Sequence, residues 1–183
     1  MKKPKRLFDF LECQLENPLD KSINTKYNGE WEYLSTNDFY EKVQTISRKL
    51  IEIGIKKGDK IALISTQNRT EWCIADNSIL QIGAVTVPIY PTISKNEFQY
   101  VLNHSESKIC FVSDKEIFEK VNQIKNKTKL EKIYSFEKFE NCPNWNLLFE
   151  NDNKSLKGDV ILRMNNVLPD DLATIIYTSG TTG

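Results

Sequence analysis

A short, unbroken apolar run at residues 61–64 is followed at near-equal intervals by strand-like stretches at 85–89 and 109–112, each leading into a stretch of helical periodicity. A strand with one wet face alternates polar and apolar residues. Runs without that alternation suit strands buried on both faces, as in parallel sheets. Helices are expected at 70–82, 95–102 and 115–124, and further strands at 132–134 and 172–177. Strands alternating with helices of this length imply βαβ units, a parallel sheet and right-handed crossovers. The expected fold class is α/β.

Helix boundaries are written in the same residues. From Thr36, the apolar positions Phe39, Val43, Ile46, Leu50 and Ile53 share one helical face, and Gly54 is placed to end it. Gly58 and Asp59 form a turn before the first strand. Ser94 with Glu97, and Ser113 with Glu116, fit the reciprocal capping box, and Asn68 with Glu71 is a looser version. Leu7, Phe8, Leu11 and Leu15 form a stripe on an expected N-terminal helix. The tract 138–159 is polar, rich in Asn and irregular. It is expected to be a surface excursion with one short helix around Trp145–Phe149.

Composition removes several classes of function. Lys and Arg number 25 against 25 Asp and Glu, so no global field draws the protein to nucleic acid or an anionic surface. Cys13, Cys73, Cys110 and Cys142 are widely spaced, and His104 is the single histidine. Zinc spacings are absent, and unbridged thiols in a reducing compartment are expected. The basic start "MKKPKR" is not a secretory signal, because Asp9 and Glu12 interrupt the apolar stretch and no small-residue cleavage site follows. No segment approaches the ~20 apolar residues of a membrane span. A cytoplasmic location is expected.

Chemistry concentrates in the closing stretch "LATIIYTSGTTG". An apolar run gives way without a spacer to Thr178, Ser179, Gly180, Thr181, Thr182 and Gly183. Such a loop at the carboxyl end of a parallel strand lies where open α/β sheets bind ligands. Glycines let successive N–H groups converge on an anion, and the hydroxyls can donate to phosphate oxygens or hold a water of a magnesium ion. The Walker A pattern is not met, since the loop contains no lysine. On these residues alone, a phosphate cradle and a plain Thr/Ser/Gly connector both stand.

"YTSGTTG", with the preceding "DDLATII", resembles the signature loop of the adenylate-forming enzymes: acyl-CoA synthetases, luciferases and peptide-synthetase adenylation domains. "GIKKGDKIALIS", "NRTEW", "ILQIGAVTVPIYPT" and "EFQYVLNHSESK" resemble, in the same order, the N-terminal half of long-chain fatty acid–CoA ligases. Many relatives have proline where Thr70 stands. The resemblance implies that 1–183 is an incomplete N-terminal AMP-binding domain, the first part of the large domain of such an enzyme, with the C-terminal lid domain and catalytic lysine lying downstream. It implies ATP with Mg2+, a fatty acid and coenzyme A as partners. Thr178 to Gly183 are then the nucleotide-phosphate contacts, and the chain by itself is expected to be inactive. A lipid substrate leaves room for peripheral attachment to the inner face of the membrane. Another adenylate-forming acid–thiol ligase, and a short non-catalytic nucleotide- or partner-binding protein, are the alternatives.

Other conspicuous residues have plainer explanations. Asn68, Arg69, Glu71 and Trp72 read as a helix start plus a core aromatic. Pro88 and Pro91 stiffen the exit of a strand and read as scaffold. His104 has no evident acid partner in sequence and reads as a structural histidine.

Overall fold

The structure is a computed structural model and describes residues 3–178. The chain divides into two compact units, one made of residues up to 57, 68–83 and 148–171, the other of 58–67, 84–147 and the segment from 172 onward.

The first unit holds α1 (Asp9–Gln14), the hairpin β1 (Ile23–Tyr27) and β2 (Glu30–Leu34), α2 (Thr36–Glu52), α3 (Thr70–Gln81) and, near the end of the chain, α6 (Lys157–Asn165). Phe39, Val43, Ile46 and Leu50 make α2 amphipathic, as the spacing predicts. They are buried with Ile74, Ala75 and Ile79 of α3 and with Val160 and Met164 of α6. The helix ends where expected, with Gly54 at φ +92°. Between α2 and α3, small polar side chains let the backbones approach. Ser47 Oγ donates to Ser78 O (3.1 Å), Ser78 Oγ to Val43 O (3.0 Å) and Gln44 Nε2 to Gln81 Oε1 (3.1 Å). These buried groups are therefore satisfied.

The sheet of the second unit contains β3 (Lys60–Ile64), β4 (Val85–Ile89), β5 (Ile109–Val112) and β6 (Lys132–Ser135), all parallel, in the order β4-β3-β5-β6. α4 (Lys95–Ser105) joins β4 to β5, and α5 (Lys115–Asn122) joins β5 to β6. Ala62, Ile64, Val87, Cys110, Val112 and Ile133 form one buried cluster with Phe98, Leu102, Ile117 and Val121 of these helices. Phe111 stacks on Tyr134 and Phe136. The parallel α/β expectation is met, with each of the first three strands within a residue of its expected bounds.

Several local expectations are corrected. The hairpin was not anticipated; its Asn28-Gly29 turn carries two positive φ angles, +49° and +89°, the geometry that Asn-Gly favours. Ser94 and Glu97 do form a capping box, but α5 is capped by Asp114, whose carboxylate accepts from Ile117 N–H (3.0 Å), and not by Ser113. Ser113 Oγ instead donates to Asp114. Asn68 is exposed and does not cap α3; Arg69 is the N-cap residue, and the N–H of Thr70, the first residue of α3, is met by Thr25 Oγ1 at 2.9 Å. Leu7 is 56% exposed and leaves the stripe that Phe8 and Leu11 keep. The Asn-rich tract is no loose excursion. The expected short helix at Trp145–Phe149 is present as a 3-10 helix, and beyond it Asp152 pairs with Arg48 and α6 begins at Lys157.

The final apolar run shows the largest difference. It pairs with β4 at a single parallel bridge, Thr86 to Thr174, rather than as a strand over 172–177. Thr86 N–H donates to Ala173 O and Ile175 N–H to Thr86 O, both at 3.0 Å. The next residue of β4 turned to this side is Pro88, which has no N–H to offer. Among the described residues the backbone pairing goes no further.

Candidate functional site

The carboxyl ends of β3, β5 and the bridge segment carry very different groups. After β3 and β5, the edge is closed by a hydroxyl–carboxylate network. Thr66 N–H donates to Ser113 Oγ (3.1 Å), while Thr66 Oγ1 (3.0 Å) and Ser113 Oγ (2.6 Å) donate to Asp114 Oδ2. Burial acts to raise the Asp114 pKa, but the bonds from Ser113, the Ile117 amide and Thr66 prevail and hold it below the usual range. The N-terminus of α5 is thus already occupied by a charged carboxylate, which would repel a phosphate.

Beyond β4 the bridge segment runs through Ile175, Ile176 and Tyr177 to Thr178, which is exposed. No carboxylate occurs from Leu172 to the end of the sequence. At the β3/β5 end, by contrast, the Asp114 carboxylate stands at the strand exits. Of the expected phosphate contacts, Thr178 is placed here, and Ser179, Gly180, Thr181, Thr182 and Gly183 lie outside the described residues. Ile175 and Tyr177 pack against the α4/α5 cluster. His104 on α4 has a partner that sequence could not supply. Its Nδ1 lies 2.7 Å from Tyr177 Oη, and its ring stacks on Tyr100 at 5.6 Å. Burial, then Tyr100, raise the Tyr177 hydroxyl above its ordinary value, with Ser105 acting the other way.

The remaining conspicuous residues are scaffold. Arg69 pairs with Glu71 (3.0 Å), and Glu71 accepts from Tyr27 Oη, so this cluster pins the hairpin to the start of α3. Trp72 is half-buried, not a core residue. Tyr90, between Pro88 and Pro91, is 63% exposed. None of the four cysteines is in a disulfide; Cys110 is buried and the others are half-buried. Among the described residues, no group of three or more His, Cys, Asp or Glu could hold a metal, and no helix is long and apolar enough to cross a membrane.

The four-stranded parallel sheet and its crossover helices define a protein of the α/β class. Residues 11–183 match the family of AMP-binding enzymes, and the chain belongs to that family. Among its relatives, it is 29% identical to fatty acyl-CoA synthetase A of Dictyostelium discoideum, over 85% of this chain and 24% of that protein. It is 30% identical to a long-chain-fatty-acid–CoA ligase of Mycobacterium bovis, over 85% of this chain and 26% of that one. The chain thus spans about a quarter of the length of these relatives. Its fold is similar to coronafacic acid ligase from Pectobacterium brasiliense, with TM-score 0.73, 25% identity and coverage of 94% of this chain and 33% of the other. A long-chain-fatty-acid-CoA ligase from Archaeoglobus fulgidus gives TM-score 0.73 at 18% identity, covering 100% and 36%, a likeness of fold alone.

Proposed function

We propose that the chain is the AMP-binding part of an ATP-dependent long-chain fatty acid–CoA ligase, with residues 1–183 forming the first portion of its large domain and the lid domain lying downstream. The observation that carries this is the acid-free hydroxyl–glycine sequence from Thr178 to Gly183, which follows directly on the segment bridged to β4, in a chain whose relatives include long-chain ligases. Thr178, Ser179, Gly180, Thr181, Thr182 and Gly183 are the proposed contacts to the nucleotide phosphates.

In the first half-reaction a fatty carboxylate oxygen attacks the α-phosphorus of ATP. The bond to the bridging oxygen breaks, leaving acyl-adenylate and diphosphate. In the second, the thiol of coenzyme A attacks the acyl carbon, loses its proton and releases AMP. Negative charge gathers on the departing diphosphate, so hydroxyl and amide donors held around it stabilise the transition state. The donor set suits an anion better than a directly bound cation. Mg2+ fits as the companion of ATP, neutralising phosphate charge, with loop hydroxyls holding its water. We infer a cytoplasmic enzyme whose lipid substrate makes peripheral attachment to the membrane a natural arrangement.

Diphosphate release by the full-length protein, measured across a panel of acids with ATP and coenzyme A, tests this. Turnover is expected with palmitate-like acids and none with the 183-residue chain alone. Likeness to coronafacic acid ligase favours a second acid class, and activity confined to cyclic or aromatic acids would replace the long-chain assignment.

A further inference from the structure

The approach to the loop is weakly held by backbone. Thr86 makes both bonds of the bridge, to Ala173 O and from Ile175 N–H, each 3.0 Å. Continuation of a parallel ladder would require the amide of residue 88 to donate to Ile175 O, and residue 88 is proline. Ile176 is 60% exposed. Two residues beyond Ile175, the chain is fastened again, this time by side chains. Tyr177 Oη meets His104 Nδ1 at 2.7 Å, and the two rings meet edge to face at 5.7 Å. Tyr100 closes the group, stacked on His104 and edge-on to Tyr177 at 6.5 Å. His104 is carried on α4, which is fixed to the sheet by the fully buried Phe98 and Leu102. Thr178 follows Tyr177 directly.

We propose that His104 is a positioning residue for the phosphate-binding loop. Through Tyr177 it fixes the loop's entry where Pro88 interrupts the backbone ladder. His104 itself touches no substrate. The inference rests on the loop's assignment to the phosphates of ATP. It assigns the polar tip of Tyr177 a task that a purely apolar strand residue could not perform.

The test is a double-mutant cycle in the full-length protein, with KM for ATP and kcat for diphosphate release read separately and thermal melting followed alongside. Tyr177→Phe and His104→Ala should each raise KM for ATP or lower kcat by about fivefold, the factor worth a single net hydrogen bond. The double variant should be no worse than either. His104→Asn, which keeps a polar nitrogen near the position of Nδ1, should recover most of the loss. Pro88→Ala restores an amide that can donate to Ile175 O, and in that background His104→Ala should cost less. Additive losses, no recovery by His104→Asn, or a melting change with unaltered ATP kinetics would overturn the inference while leaving the ligase assignment intact. An unmutated protein with no ATP-dependent diphosphate release would overturn both.

Discussion

Arg48 of α2 and Asp152 meet through two parallel bonds, Nε to Oδ1 and Nη2 to Oδ2, both 2.6 Å, across 104 residues of sequence. The guanidinium is 3% exposed and the carboxylate 19%, so each charge is compensated by the other.

Asp152→Ala should destabilise the protein by about 3 kcal/mol, the low end for breaking a buried pair, because Arg48 would keep only Thr45 Oγ1 as acceptor. The bond from Arg48 lowers the Asp152 pKa, with burial opposing. A folded pKa below the unfolded one means the contribution is present above about pH 4 and is lost as pH falls through the folded value. Urea denaturation of both proteins should show the difference shrinking as the solution is acidified below about pH 4.

Tyr27 donates to Glu71, which Arg69 also holds. Burial first, then the Glu71 carboxylate, push the Tyr27 hydroxyl up to about 12. Its contribution is present below the unfolded value of about 10 and is lost as pH rises through about 12. Tyr27→Phe should cost about 1.5 kcal/mol at neutral pH. Spectrophotometric titration should show one late-titrating tyrosine absent from that variant.

Native alkylation should spare Cys110, whose thiol is fully buried and pushed up by burial, then by Cys142. Cys142 is pushed up to about 11, chiefly by burial, and should react slowly at pH 8. Mass spectrometry before and after unfolding reads both.

Replacing Thr178, Ser179, Thr181 and Thr182 together with alanine should slow diphosphate release by at least about 100-fold in the full-length protein, since loss of a single such donor costs ~2–4 kcal/mol. Unchanged melting would place the loss in chemistry, and an unchanged rate would refute the phosphate assignment.

The sheet was legible because 61–64 and 109–112 are apolar without alternation, a pattern set by local burial. α6 was not. Its buried face rests on Val160 and Met164 while the adjacent Ile161 and Leu162 are exposed, so apolar pattern does not mark the buried side and its partners in α2 and α3 decide it. The hairpin carries a readable signal in Asn28-Gly29, the dipeptide that favours the two positive φ angles of its turn. Ser113 and Asp114 can each cap a helix, and only the geometry of the strand exit chooses between them. For the site, the loop was readable from its composition, but the His104–Tyr177 contact joins residues 73 apart and no local pattern announces it. Pro88 reads in sequence only as a stiff strand exit, and its missing amide ends a ladder that the apolar run 172–177 leads one to expect.

Both units are assembled from interrupted stretches, with the chain passing between them after residues 57, 67, 83, 147 and 171. During synthesis, α2 and α3 emerge long before Asp152, Val160 and Met164. At ~5–20 residues per second the guanidinium of Arg48 waits roughly 5–20 s for its carboxylate. The nascent helical layer therefore stays open on the ribosome until the stretch containing α6 has been translated, and a stalled ribosome would hold it in that adhesive state.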